Sequence, residues 1–216
     1  LKGIRLVLTA GPTREALDPV RYITNHSSGR MGFAIAESAA RQGADVTLVA
    51  GPVSLPTPNG VQRVDVETAE AMQQAVDEAL SGGADWFIAT AAVADYRPVT
   101  RSDSKIKKDR DSAPVIELQQ NPDILASVAA RKQNRPFTVG FAAETNDVRD
   151  YAQDKLKRKN LDMIVANDVS APGIGFNSGR NAVEVFWEEG SQQFDARSKT
   201  ELATDLLTLI HERSRA

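Results

Sequence analysis

Ile4-Arg5-Leu6-Val7-Leu8-Thr9-Ala10-Gly11-Pro12-Thr13-Arg14 and, after a short polar loop, Asn25-His26-Ser27-Ser28-Gly29-Arg30-Met31-Gly32 decide how this chain is read. The apolar run Ile4 to Leu8 has strand length and breaks at small residues. The second stretch ends where a helical pattern begins. Small residues at a strand end let backbone approach a ligand closely, and the unpaired amides of a first helical turn attract an anion. Two phosphate-loop candidates therefore lie within the first thirty-odd residues. Neither has standard spacing: G-x-x-x-x-G-K-[S/T] is absent, and the first strand-to-helix turn carries no G-x-G-x-x-G. A nucleotide-type fold with an unusual loop is expected.

Outward from that stretch, short apolar runs alternate with longer helical patterns. A helix is expected from Phe33 to Arg41, stopping at Gly43, then a strand at Asp45 to Ala50. Gly51-Pro52 and Pro56 to Gly60 are turn chemistry. A third strand follows at Val61 to Val66, and Thr68 caps a helix reaching about Leu80. Trp86 to Ala89, Phe137 to Phe141 and Met163 to Ala166 read as buried strands. Asn121-Pro122-Asp123 opens a helix through Lys132, and another covers Val148 to Arg158. The tail differs: Val183 to Phe186 alternates like an antiparallel strand, Gln193-Phe194 pairs with it, and Ser198 starts a terminal helix. The fold class expected is α/β: a three-layer, Rossmann-like, mostly parallel sheet with helices on both faces and a C-terminal antiparallel extension. One domain over residues 1–216 is expected, with a mobile flap at about 101–115.

Composition narrows the chemistry. The 216 residues are 41% hydrophobic and 25% charged, ordinary values for a globular protein with a full core. A formal charge of −3 argues against a general nucleic-acid surface. Without cysteine there is no disulfide, thiolate metal site or cysteine nucleophile, and two histidines, His26 and His211, cannot make a zinc site alone. No apolar run is long enough to span a bilayer and no signal peptide is visible, which favours the cytoplasm. A chain that starts at Leu1, directly before a strand, also suggests an excised domain.

In open α/β sheets, ligands bind beyond the carboxyl ends of the strands. Four polar segments fall at such ends: Gly11 to Arg14, Ala91 to Asp95, Glu144 to Asn146, and Asn167-Asp168. Four on one edge favour a ligand cleft over ordinary loops. Gly11-Pro12-Thr13-Arg14-Glu15, Asn25 to Gly32, Ala91-Ala92-Val93-Ala94-Asp95-Tyr96, Lys105-Ile106-Lys107-Lys108, Asn121-Pro122-Asp123-Ile124 and Gly140-Phe141-Ala142-Ala143-Glu144-Thr145 also occur in a telling order. In that order the chain resembles bacterial phosphopantothenoylcysteine synthetase over nearly its whole length.

The resemblance implies a ligase of coenzyme A biosynthesis. Such an enzyme joins 4'-phosphopantothenate to L-cysteine with CTP and Mg2+, through an acyl-cytidylate. It also implies a homodimer, and in many bacteria fusion to an N-terminal flavin-dependent decarboxylase. By the same resemblance Asn25 contacts the acyl-cytidylate and Lys105 binds nucleotide and supports catalysis. Ala89, Thr90, Ala91, Asp95, Pro122, Asp123, Ile124, Leu125, Phe141, Lys155 and Lys159 correspond to the CTP site.

The residues themselves are compatible with those roles without requiring them. An Asn25 amide can donate to a developing oxyanion, though a turn or cap asparagine is the bland alternative. Lys105 lies in a charge run that is equally a solvated face. Arg21 can pair bidentately with phosphate or carboxylate, or merely form a surface ion pair. Ser28 and Gly29 read as backbone anion ligands, because no base lies near Ser28 in sequence. His26 could orient their loop. Phe141 packs on a base or in the core. Lys155 and Lys159, four apart, share a helix face. Arg30 stands where some relatives carry lysine and receives no role. Asp147 and Asp168 could meet magnesium, but nothing in their spacing specifies a site, so the metal ligands stay open. Two other classes compete: an NAD(P)-binding oxidoreductase, which should carry a carboxylate at the end of the second strand where Ala50-Gly51-Pro52 stands, and a noncatalytic nucleotide sensor.

Overall fold

The computed structural model describes residues 1–108, 113–144, 148–168 and 179–215. Six strands form the parallel part of one sheet: β1 (Arg5–Ala10), β4 (Asp45–Ala50), β5 (Val61–Asp65), β6 (Trp86–Ala89), β9 (Phe137–Glu144) and β10 (Met163–Asp168). Their spatial order, β5-β4-β1-β6-β9-β10, is the doubly wound order, which reverses direction between β1 and β6. Two longer strands, β11 (Arg180–Trp187) and β12 (Gly190–Ser198), add antiparallel beyond β10. The Rossmann-like sheet with an antiparallel C-terminal extension is thus as expected from the sequence.

The inner parallel strands are buried on both faces and read accordingly as near-continuous apolar runs; Leu6, Val7, Leu8 and Ala10 of β1 are all buried, whereas the edge strand β5 has no buried residue. On one face α1 (Arg30–Arg41) and α5 (Lys199–Arg213) pack over β1, β4 and the C-terminal strands. On the other, α2 (Ala69–Ser81) and α3 (Ile124–Ala129) cover Val7, Val49 and Phe87. There α4 (Val148–Arg158) covers Ile164, Ala166 and Phe186. Gly32, Ile35, Ala36 and Ala39, among the buried residues of α1, recur at helical spacing and make a stripe on its buried face.

Element edges shift in informative ways. Helix α1 begins at Arg30 rather than Phe33, because Gly29 adopts φ 74° and turns the chain straight into the helix. Helix α3 stops at Ala129 rather than Lys132. Strand β9 continues past Phe141 to Glu144, paired with β10 from Val139 onward. Two small hairpins went unanticipated: β2 (Arg14–Ala16) with β3 (Tyr22–Thr24), and β7 (Tyr96–Pro98) with β8 (Leu118–Gln120). Three-residue strands are too short to show periodicity. Residues 101–108 of the expected flap carry no helix or strand, and 109–112 lie outside the described residues.

Candidate active site: two clefts with a common wall

The sequence after β1 does not leave the sheet at once. Ala92 N–H donates to Gly11 O (2.9 Å), Thr13 N–H to Ala92 O (3.3 Å), and Ala94 N–H to the Thr13 hydroxyl (3.0 Å). Thr90 Oγ1 donates to Thr9 O at 2.7 Å. Backbone pairing between β1 and β6 therefore runs on past both strand ends. It fixes Ala91 to Asp95 as a rigid wall at the switch point, where the connections diverge to opposite faces and leave a crevice.

A cleft lies on each side of that wall. The first, about 320 Å3, is bounded by Asn25, Ser28, Gly29, Thr90, Asn181 and Lys199 among others. The second, about 530 Å3, is bounded by Ala89, Pro122 to Leu125, Arg158 and Lys159. Ala91, Ala92, Asp95, Phe141 and Lys155 line both. The two are compartments of one site.

Helix α1 supplies the anion-binding end of the first cleft. Thr68, Asp123 and Ser198 cap α2, α3 and α5 with side-chain hydrogen bonds, whereas α1 starts at Gly29 with no side-chain cap. No N-cap side chain competes for the amides of its first turn, the groups that attract an anion at a helix start. Gly32 lets that helix start lie against the sheet: a Cβ there would collide with the Thr90 side chain and the Ala10 Cβ.

The second cleft is basic on one side. Lys159 pairs with Asp123 at 2.6 Å, and Lys155 donates to Phe141 O at 3.3 Å. Burial opposes ionisation of Asp123. The Lys159 ammonium, the Ala126 amide and the charge of Lys155 outweigh it and hold the carboxyl below the usual range. Asp123 thereby both caps α3 and anchors Lys159. Phe141 is half-buried, packing on the core while its ring borders both compartments.

Every residue matched to the CTP site except Lys105 thus borders one or both compartments, as do Asn25, Ser28 and Gly29. Arg21 and Lys105 border neither. Arg21 instead donates through Nε (3.0 Å) and Nη2 (2.5 Å) to Oδ2 of the buried Asp18, and Nη2 also reaches Ile106 O at 2.8 Å. Ile106 N–H donates to Asp18 as well, at 3.1 Å. The arginine ties the β2–β3 turn to the segment carrying Lys105. Its guanidinium, together with three backbone amides, holds the Asp18 carboxyl far below the ordinary range against the opposing effect of burial. His26 is exposed and lines neither cleft. Asp147 and the Asp168 side chain lie outside what is described.

Sequence reasoning missed Asn181, Lys199 and Arg158 as site residues. Lys199 follows a Ser cap, where a lysine ordinarily points to solvent. Asn181 precedes the β11 alternation at a register irregularity between Asn181 and Val183, and such bulges re-aim side chains beyond what alternation predicts. Only the polar residue at an inward register hinted at it.

A doubly wound sheet with its polar residues gathered at the carboxyl edge defines a Rossmann-like protein whose ligands bind at the switch point. Within that class the chain belongs to the family of DNA/pantothenate metabolism flavoprotein C-terminal domains, whose model matches residues 1–213. It is 63% identical over 214 residues to the coenzyme A biosynthesis bifunctional protein CoaBC of Vibrio cholerae, covering 98% of this chain and 53% of that one. To CoaBC of Escherichia coli it is 56% identical over 212 residues, covering 97% and 52%. The chain therefore spans about half the length of the curated relatives it matches. A crystal structure of the C-terminal domain of CoaBC superposes with TM-score 0.83 at 42% identity, over 98% of this chain and 96% of that one. A DNA/pantothenate metabolism flavoprotein from Streptococcus pneumoniae shares the fold, with TM-score 0.82 at 24% identity and coverage of 97% and 99%. The family resemblance carried by the motifs is borne out.

Proposed function

We propose that this chain is the synthetase part of a coenzyme A biosynthesis protein and forms the amide between 4'-phosphopantothenate and L-cysteine at the expense of CTP. The observation that carries the reading is the pair of compartments meeting at Asp95, Phe141 and Lys155. A carboxylate must attack an α-phosphorus, so two anions have to be held side by side with cations between them. Lys155 borders both compartments and meets that requirement.

In this reading the nucleotide occupies the second compartment, flanked by the backbone of Ala89 to Ala91 and of Pro122 to Leu125, with Phe141 against a ring and Lys159 near phosphate. The acyl substrate lies in the first, its carboxylate toward Asn25. The carboxylate oxygen bonds to the α-phosphorus as the bond to the β-phosphate oxygen breaks, and pyrophosphate leaves. The cysteine amine then attacks the acyl carbon, the C–O bond to CMP breaks, and the amine proton passes to a basic group or water. The Asn25 amide donates to the oxyanion of that second step, and the α1 amides at Gly29 offset phosphate charge.

Magnesium fits here as an ion that arrives with the nucleotide. Among the described residues no three His, Asp or Glu side chains cluster to hold one. Mg2+ is ordinarily held by substrate phosphates and one or two carboxylates, and in this reading Asp95, a residue of the common wall, would supply one. When bound, the ion neutralises phosphate charge and polarises the α-phosphoryl group.

Lys105 would join the nucleotide only if its segment closed over the clefts. A homodimer is proposed because the β2–β3 and β7–β8 hairpins present exposed apolar side chains, Val20, Tyr22, Val99 and Leu118. Among the described residues no helix is long and apolar enough to cross a membrane; a cytoplasmic location is proposed from the coenzyme A biosynthesis relatives. Fusion to a decarboxylase half is proposed from the relatives' bifunctional names.

The test is pyrophosphate release with Mg2+ and 4'-phosphopantothenate, CTP against ATP, with and without cysteine. Sustained release requiring CTP and cysteine is expected. Asn25→Ala should lower it by about 100-fold or more with an unchanged Tm. Normal turnover by that variant would remove Asn25 from the mechanism, and no release by folded wild-type protein would favour a nucleotide sensor.

A further inference from the structure

The wall between the two clefts is gripped at one residue by two side chains to which the ligase reading gives no role. Ala94 lies outside any strand and is 8% exposed. Its N–H donates to the Thr13 hydroxyl at 3.0 Å, and its carbonyl accepts from Asn121 Nδ2 at 2.8 Å. Buried main-chain groups need partners, and here both partners are side chains from distant parts of the chain.

The place of Asn121 calls for an amide. Beyond Ala94, Asn121 Oδ1 accepts from Arg97 Nη1 at 3.0 Å. A guanidinium only donates and a carbonyl only accepts. The group between them must therefore offer one acceptor and one donor, which an amide does and a carboxylate does not. Arg97 is itself held, by Gln120 O at 3.0 Å and by Glu70 of α2 at 2.9 Å. The Asn121 N–H donates to Asp95 O at 2.8 Å, which extends the β7–β8 pairing by one residue into the wall. The usual role of an asparagine ahead of a helix falls to its neighbour, since Asp123 caps α3.

The grip comes from opposite sides. Thr13, 0% exposed, reaches Ala94 from the extension of β1 and borders neither cleft. Asn121 reaches it from the approach to α3 and borders only the second. The next residue, Asp95, lines both. We infer that Asn121 and Thr13 are positioning residues: acting through Ala94, they set where Asp95 and the shared wall stand and so align the substrates of the two compartments. The inference rests on the ligase reading for the reaction that is aligned, not for the grip itself. A misplacement of about 1 Å can cost about 100-fold in rate.

The experiment compares wild type with four variants. Asn121→Asp keeps the shape and the Arg97 contact but turns an acceptor toward Ala94 O. Thr13→Val keeps the shape without the hydroxyl, Thr13→Ser keeps the hydroxyl, and the fourth combines Asn121→Asp with Thr13→Val. Amide hydrogen exchange over residues 91–95 is read without ligand. Then kcat, and KM for CTP and for 4'-phosphopantothenate, are read well below the lowest Tm. Exchange should quicken in Asn121→Asp and Thr13→Val, and kcat should fall about tenfold or more in each, whichever compartment the residue borders. Thr13→Ser should restore both readouts. The double variant should be little slower than the worse single one, because both act on one peptide. Unchanged exchange in both single variants overturns the inference whatever the turnover. So does a lower Tm with kcat intact, which makes the residues structural only. A rise confined to KM for CTP in Asn121→Asp, with Thr13→Val normal, makes Asn121 a nucleotide contact and also overturns it. If Thr13→Val does not fold, the exchange and kcat of Asn121→Asp decide. Should wild type show no turnover while exchange responds as expected, the ligase reading falls and the grip on Ala94 stands.

Discussion

At the scale of single residues, the site is shaped as much by what is missing as by what is present. Gly32 has no side chain, and the start of α1 can therefore meet the end of β1 and the Thr90 side chain. A methyl group there has no room. Gly32→Ala should destabilise the protein by about 1–3 kcal/mol through overpacking. It should also push the α1 amides off the first cleft. Urea denaturation checks the first effect and nucleotide affinity the second; an unchanged midpoint would show that the helix can retreat without cost. Asn25 was legible as a candidate because its motif stands out along the chain, and Lys155 only through the family correspondence and its shared helix face with Lys159. Lys199 was not, because the property that marks it, burial against Arg30, belongs to no local pattern.

At the scale of elements, Asp18 is the tie between two loops of no regular structure. It accepts from the amides of Val20, Arg21 and Ile106 and from the Arg21 guanidinium. Arg21, read from sequence as either a phosphate or carboxylate ligand or an ion-pair residue, holds this tie. The sign of the pH effect follows from the depressed pKa of Asp18. A carboxyl held low in the folded state contributes stability that is fully present above its unfolded pKa of about 3.9. That contribution is lost as pH falls through the folded value. Asp18→Asn should thus lower Tm by a constant amount between about pH 5 and 8, and the gap to wild type should close below about pH 4. Melting curves across that range decide it; a gap that widened in acid would contradict the assignment. The hairpins that this tie supports were illegible because strands of three residues have no period to read.

At the scale of the molecule, the large exposed apolar side chains among the described residues lie on or beside two hairpins, with Tyr151 of α4 the exception. Tyr22 and Val20 belong to the β2–β3 hairpin, Tyr96 and Leu118 to the β7–β8 hairpin, and β2 packs beside β7. Ile116 and the 91%-exposed Val115 continue the same chain segment. A second copy over that face, as proposed, would bury the apolar area and steady the loops around Asp18 and Lys105. Sedimentation should show a dimer, and Leu118→Asp combined with Val20→Asp should give a folded monomer. A wild-type chain that sediments as a monomer at all concentrations would remove the proposal.

What the sequence determined by itself was the sheet and the edge at which ligands bind. Apolar runs of strand length alternating with helical patterns leave few topologies, and the polar segments at the strand ends then fall on one edge whatever the loop details. The tertiary structure alone decided how that edge is partitioned. The wall from Ala91 to Asp95 divides it because backbone pairing continues past β1 and β6. Lys155 serves both sides because α4 lies beside β9 and β10. Lys199 arrives from a helix almost two hundred residues away in sequence from β1, carried back by α5 packing on α1. Local pattern reports which face of an element is apolar. Which distant side chains meet across a cleft is settled only when those faces pack, and that information is nowhere local in the chain.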